Sequence, residues 1–283
     1  MELKRVVVTG MGAITPIGNS VKEYWDGLVN GVSGAKPITR FDATNFKTKF
    51  ACEVKGFNPE DYLDRKEVRK TDLFAQFAIA ASEQAIQDSG LNLEKIDLDE
   101  SGVIWGAGIG GIITFMEEVK GFVQGNGTPR FSPFFIPKMI TDIAAGLISM
   151  RYGFRGPNYA TVSACASSTH AISDAYNLIR LGKGKVFVTR GSEAAINEAG
   201  VGGFNSLQAL STRNDDPSTA SRPFDKDRDG FVIGEGAGAL ILEEYEHAVN
   251  RGARIYCEIR GTGMTADAYH LTAPHPEGLG ARK

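Results

Sequence analysis

The chain of 283 residues suits one large or two medium domains, and its 42% apolar and 23% charged residues are those of an ordinary globular protein. A net charge of −3 supplies no global field for gathering nucleic acid or an anionic membrane surface, so neither is expected as a partner. The apolar run after Arg5 stops at Gly10, too short for a signal sequence or a membrane span, and the expected location is the cytoplasm.

Strand-like and helix-like segments alternate along the chain. Residues 5–9 form a β-branched run that ends at Gly10, as a buried strand does. Ser20 is placed to cap a helix that runs to Asn30. Over 66–88 the residues Phe74, Phe77, Ala78, Ala81 and Ala85 fall on one helical face, and Ser89-Gly90 closes the helix. A buried strand is expected at 103–105, and a helix at 136–152 with Gly153 as its stop. Residues 159–163 read as a strand that runs directly into a helix over 165–181. Strands follow at 186–189 and 239–242, then a helix at 244–250 and a last strand at 254–259. The alternation predicts an α/β protein, with helices covering a mixed or parallel sheet.

Two tempting patterns fail their context tests. Gly106, Gly108 and Gly111 match GxGxxG after a strand, but no second strand ending in an acidic residue lies about 20 residues on. The glycines are expected to form a tight turn. Asp225, Asp227, Asp229 and Gly230 imitate the start of a calcium loop, yet the twelfth position is Gly236 where a bidentate Glu is needed. No metal site is expected.

The three cysteines, Cys52, Cys165 and Cys257, are too few and too far apart for a disulfide framework or a Cys/His metal site. Cys165 stands where a strand meets a helix, among Ala164, Ala166, Ser167 and Ser168. Free N–H groups and the helix dipole favour a thiolate there, and small neighbours leave room for a bulky group on sulfur. By spacing alone, a nucleophile and a buried structural thiol both remain open. Cys52 and Cys257 lack this setting and read as structural. Of the histidines, His170 follows Cys165 by five residues on the expected helix and so points away from it. His247, His270 and His275 read as structural or exposed.

Several ordered segments carry a resemblance. They are Thr15-Pro16-Ile17-Gly18, Gly108-Ile109-Gly110-Gly111, Ser132-Pro133-Phe134-Phe135, Ser163-Ala164-Cys165 and Ala209-Leu210-Ser211-Thr212-Arg213-Asn214. Ser221-Arg222-Pro223-Phe224, Asp229-Gly230-Phe231, Gly234-Glu235-Gly236-Ala237-Gly238 and Asp267-Ala268-Tyr269-His270 continue the series. With these the chain resembles the β-ketoacyl-acyl carrier protein synthases of the type II class, the condensing enzymes of fatty-acid elongation.

The resemblance implies a thiolase fold, in which two similar α/β halves make a five-layered sandwich. Residues 1–252 would be the first half, carrying the nucleophile, and 253–283 the first strand and loop of the second. It implies transfer of an acyl chain from acyl carrier protein to Cys165. Malonyl carrier protein then loses carbon dioxide, and its carbanion attacks the thioester, with no cofactor required. Ile109 and Phe204 would line the acyl channel, and Thr272 would lie beside the phosphopantetheine arm. Lys66, Arg69, Lys70 and Arg130 would dock acidic carrier protein; residues 65–70 carry a local charge of +3. A homodimer is implied as well.

Three departures accompany the resemblance. The chain ends at Lys283, whereas relatives continue with two catalytic histidines, a lysine and a phenylalanine gate, so it reads as a fragment. Arg190 stands where relatives usually carry glycine, after a strand taken to pair across the dimer axis. Gln208 replaces a basic residue of the docking surface. Two other readings stand beside the condensing enzyme. A cysteine acyl hydrolase would need a base near Cys165, and a non-catalytic carrier-protein-binding subunit would need no cysteine.

Overall fold

The computed structural model describes residues 3–270 and 272–283. In chain order it contains β1 (Val6–Ile14), α1 (Val21–Val29), β2 (Lys36–Pro37), β3 (Phe50–Ala51), α2 (Arg65–Lys70), α3 (Leu73–Ser89), β4 (Ser101–Gly106) and α4 (Ile112–Gln124). There follow α5 (Phe135–Met139), α6 (Ile143–Tyr152), β5 (Asn158–Thr161), α7 (Ser167–Arg180), β6 (Val186–Glu193) and α8 (Glu198–Ser206). The chain closes with β7 (Gly236–Glu244), α9 (Tyr245–Asn250), β8 (Cys257–Ile259) and α10 (Leu279–Arg282).

The expected mixed sheet is present. Six strands lie in the order β5-β4-β6-β7-β1-β8. β4 pairs parallel with β5 and β6, and the remaining neighbours pair antiparallel. Inward residues from both sheet faces build two cores. On one side Val103, Trp105, Val188 and Ile241 pack against Phe74, Phe77, Ala78 and Ala81 of α3 and Ile148 of α6. On the other, Val6, Val8, Ile104, Phe187 and Leu242 pack against Ala171, Ala175 and Ile179 of α7. Helix, sheet and helix thus form three layers, each buried by its apolar face. β8 adds to the β1 edge of this sheet, with Val7 opposite Glu258.

Local caps sit where the sequence puts them. Ser20 accepts the Glu23 N–H and opens α1. Gly90 and Gly153 take the left-handed conformation, with φ of 62° and 71°, and close α3 and α6. Gly10 does not end β1. A Cβ at Gly10 would lie 2.2 Å from the Ala85 carbonyl oxygen, and one at Gly12 1.9 Å from that of Ala81. These glycines let α3 press onto the strand, so the expected stop is a packing contact.

Three other expectations are corrected. The helix expected at 66–88 is two helices, because Thr71 is extended and Asp72 caps α3 at the Phe74 N–H. The helix expected at 136–152 breaks between Met139 and Ile143. The strand at 186–189 runs on to Glu193 and lies between β4 and β7, so it has no free edge to pair across a dimer axis. The edge strands of this sheet are β5 and β8.

Candidate active site at the Cys165 elbow

β5 ends at Thr161, and a 3₁₀ turn over Ala164–Ala166 leads into α7. Cys165 is exposed at the crest of that turn, two residues ahead of the first helical turn. The turn is sharp because Ala164 has a φ of 50°, in the left-handed region that an L-residue enters at a cost. Hydrogen bonds hold it there. The Ser163 N–H donates to Ser167 Oγ (2.9 Å), which donates to the Ala164 carbonyl (2.7 Å). Thr161 Oγ1 donates to the Ser167 carbonyl at 2.8 Å. The sheet closes on the elbow from beneath, since a Cβ at Gly106 would lie 2.5 Å from Ser167 C and Ser168 N.

Beside the elbow, the glycine-rich loop after β4 does bind an anion, and the anion belongs to the protein. The Glu193 carboxylate, at the end of β6, accepts the N–H groups of Gly108 (2.8 Å), Ile109 (2.9 Å) and Gly110 (3.1 Å). Burial pushes this carboxyl above its ordinary pKa, against the pull of the three donors. Asp72 holds the start of α4 in the same way, accepting both the Thr114 N–H (2.9 Å) and hydroxyl (2.6 Å). Ile109 is thereby held on this loop and is 41% exposed. Phe204 lies partly buried on α8, edge-on to Phe231 with ring centroids 5.4 Å apart, in the cluster that includes Ile112 at the start of α4. Glu193 is the residue the sequence reading missed.

The remaining expected site residues are spread more widely. Lys66, Arg69 and Lys70 are exposed on α2, and Lys70 Nζ stands 5.2 Å from the Phe134 ring centroid. Arg130 is also exposed, but it shares a cleft of about 500 Å³ with Glu117 and Glu118. Thr272 lies on the exposed loop after β8, where its N–H donates to His270 Nδ1 at 3.2 Å. Gln208 takes a φ of 54° just beyond α8, and Arg190 a φ of 125° within β6, a backbone conformation suited to glycine.

Two readings of single residues change. Cys257 is exposed on β8 and is not a buried structural thiol, because an edge strand leaves one side open. Cys52 is half-buried and burial raises its thiol pKa. His170 does not turn away from the elbow: α7 begins only at Ser167, so counting five helical steps from Cys165 misplaces it. Its Nδ1 is 2.6 Å from Ser163 Oγ. His247 Nδ1 meets the buried Glu243 at 2.7 Å. The Asp225–Asp229 run is used internally, with Asp229 accepting from Ser211 Oγ (2.7 Å) and the Thr212 N–H (2.8 Å). Among the described residues no helix is long and apolar enough to cross a membrane.

Residues 3–248, which include this elbow, match a family described as beta-ketoacyl synthase, N-terminal domain. The chain belongs to the β-ketoacyl synthase family. It is 52% identical over 283 residues to the 3-oxoacyl-[acyl-carrier-protein] synthase 2 of Synechocystis, covering all of this chain and 68% of the relative. A crystal structure of a β-ketoacyl synthase from Burkholderia phymatum superposes with a TM-score of 0.88 at 35% identity, covering 98% of this chain and 68% of the other. A type II PKS ketosynthase in complex with its acyl carrier protein superposes with a TM-score of 0.76 at 27% identity, covering 93% of this chain and 70% of the other. The fold is therefore the α/β fold of ketosynthases, the thiolase fold, and the chain spans about two thirds of its relatives.

Proposed function

We propose that this synthase condenses an acyl thioester with malonyl-acyl carrier protein in fatty-acid elongation. The observation that carries the reading is Cys165, exposed on a strained turn at the N-terminus of α7. The thiolate attacks the acyl carbonyl and the carrier's phosphopantetheine thiol leaves, which gives acyl-Cys165. N–H groups at the start of α7 face the developing oxyanion. Malonyl carrier protein then loses carbon dioxide, and the carbanion attacks the thioester carbonyl. The Cys165 thiolate departs, and the product is two carbons longer with a β-keto group.

Ile109 and Phe204 serve as acyl-channel walls in this reading, and Thr272 sits on the pantetheine side. The exposed edge of β5 is the surface that pairs two copies into a dimer, covering Tyr159 and Val162. The hydrolase alternative lacks support at the elbow, since among the described residues no histidine is hydrogen-bonded to Cys165, and His170 meets Ser163 instead. Intact-mass analysis after incubation with acyl carrier protein bearing an acyl chain tests the assignment. One acyl mass is expected, on the peptide containing Cys165. An adduct on Cys52 or Cys257, or persistence in Cys165→Ala, overturns it.

The exposed cluster Lys66, Arg69 and Lys70 is proposed to steer the acidic carrier protein, with Arg130 nearby along the chain from Phe134. Such steering acts over about a Debye length of ~8 Å at physiological salt. Changing Lys66, Arg69 and Lys70 together to Glu is expected to weaken carrier binding about tenfold or more at low salt and to flatten its salt dependence. Titration calorimetry at two salt concentrations reads both effects, and unchanged affinity would remove α2 from the docking surface.

A further inference from the structure

The side chains at 163–165 are exposed or half-buried, so core packing does not hold the elbow. The left-handed Ala164 persists only where neighbouring bonds over-determine it. The bonds through Ser167 and Thr161 lie within the elbow itself or at the first residue of α7. Among the described residues, one side-chain hydrogen bond ties the elbow further along α7. His170, a full turn up α7, places Nδ1 2.6 Å from Ser163 Oγ, the side chain two residues before the thiol. In either tautomer the pair is a short hydrogen bond: Ser163 donates to a bare Nδ1, or Nδ1–H donates to the hydroxyl. Asp174, one turn beyond His170, is engaged by the Tyr159 hydroxyl at 3.2 Å.

We propose that His170 is a positioning residue for Cys165, acting through the Ser163 hydroxyl. The bond ties the strained turn to the body of α7. The thiol is then held in register with the helix N-terminus, where free N–H groups can meet a developing oxyanion. Losing one neutral hydrogen bond lets the turn relax out of that register, and reactions of the thiolate slow. The proposal rests on the reading of Cys165 as the nucleophile.

The side-chain amide of Asn can stand where His Nδ1 stands, whereas that of Gln reaches the Nε2 position. This makes His170→Asn the conservative replacement. The rate of Cys165 acylation by acyl carrier protein bearing an acyl chain is followed by intact mass, in the 283-residue chain with Cys257→Ser. His170→Ala, His170→Gln and Ser163→Ala are expected to slow it about fivefold, the loss of one hydrogen bond. His170→Asn is expected to stay within about twofold of the parent, as a geometric substitute for Nδ1. Combining Ser163→Ala with His170→Ala adds no further loss, because both remove the same bond.

The same ranking is expected with iodoacetamide, which needs no acyl channel. Parent-like rates in His170→Ala, equal rates in the Asn and Gln variants, or additive losses overturn the proposal. If His170→Ala does not fold, the comparison of Asn with Gln decides alone. Should the parent accept no acyl group, the nucleophile assignment fails, and the iodoacetamide ranking still tests the positioning role.

Discussion

Arg251→Met is expected to cost the fold about 3–5 kcal/mol, the penalty for removing one partner of a buried ion pair. Glu243 lies at the end of β7 with its side chain fully shielded from water. Burial alone would raise its pKa, but bonds from Arg251, His247 and Thr9 hold it down at about 2. Arg251 Nε and Nη2 reach its two oxygens at 2.8 and 2.5 Å, and Thr9 Oγ1 donates at 2.5 Å. The carboxylate therefore links β1, β7 and the turn after α9. The folded pKa lies below the ordinary value of 4.5, so its stabilisation is fully present above about pH 4.5. It is lost as pH falls toward 2. In Arg251→Met that acid-dependent loss should shrink, because the guanidinium that donates to both carboxylate oxygens is gone while His247 and Thr9 remain. Urea unfolding at pH 7 and pH 3 measures both effects. Adding Glu243→Gln to Arg251→Met should recover part of the loss, since no uncompensated charge then remains buried. A parent-like midpoint for Arg251→Met at pH 7 would show that the network contributes nothing net.

The parts of this molecule that were legible in its sequence are those fixed by neighbours in the chain. Ser20 and Gly153 cap helices by geometry that spans a few residues, so their roles could be read directly. The break at Thr71-Asp72 carried the same kind of signal, a capping residue after a turn, but the apolar stripe through Phe74 masked it. Gly10 was misread because its role depends on Ala85 across the sheet face, a contact no local pattern encodes. The site divides along the same line. Cys165 was legible because strand, small residues and helix are contiguous. Glu193 was not, because it meets the loop at Gly108 across 85 positions of sequence. The GxGxxG match shows both sides. Its failed context argued against a dinucleotide, while its use in wrapping a carboxylate from another strand became visible only in three dimensions. His170 was misplaced by an error of two residues in where α7 begins, enough to turn a side chain to a different face of a helix.

Gly106→Ala is expected to slow Cys165 acylation by about a hundredfold, the scale of a displacement of about 1 Å in a reacting group. Gly106 ends β4 beneath the elbow, paired with Thr161 of β5 on one side and Gly191 of β6 on the other. An added Cβ would stand 2.5 Å from Ser167 C, 2.5 Å from Ser168 N and 2.7 Å from the Ser167 oxygen. All three are backbone atoms, so no side chain can rotate aside. β4 is paired on both sides, by β5 and β6, and cannot retreat, with Trp105 and Ile104 buried on opposite faces. The first turn of α7 must therefore move, and Ser167 carries with it the bonds to Ser163 and Ala164. Overpacking of this kind costs about 1–3 kcal/mol of stability, which a domain with a core of this size can survive. Reactivity should fall much further than stability, because the strained turn has no slack to absorb the shift. Far-ultraviolet circular dichroism and urea unfolding report the fold, and intact-mass acylation kinetics report the thiol. A folded Gly106→Ala protein that acylates at the parent rate would mean that the position of Cys165 does not depend on the strand beneath it.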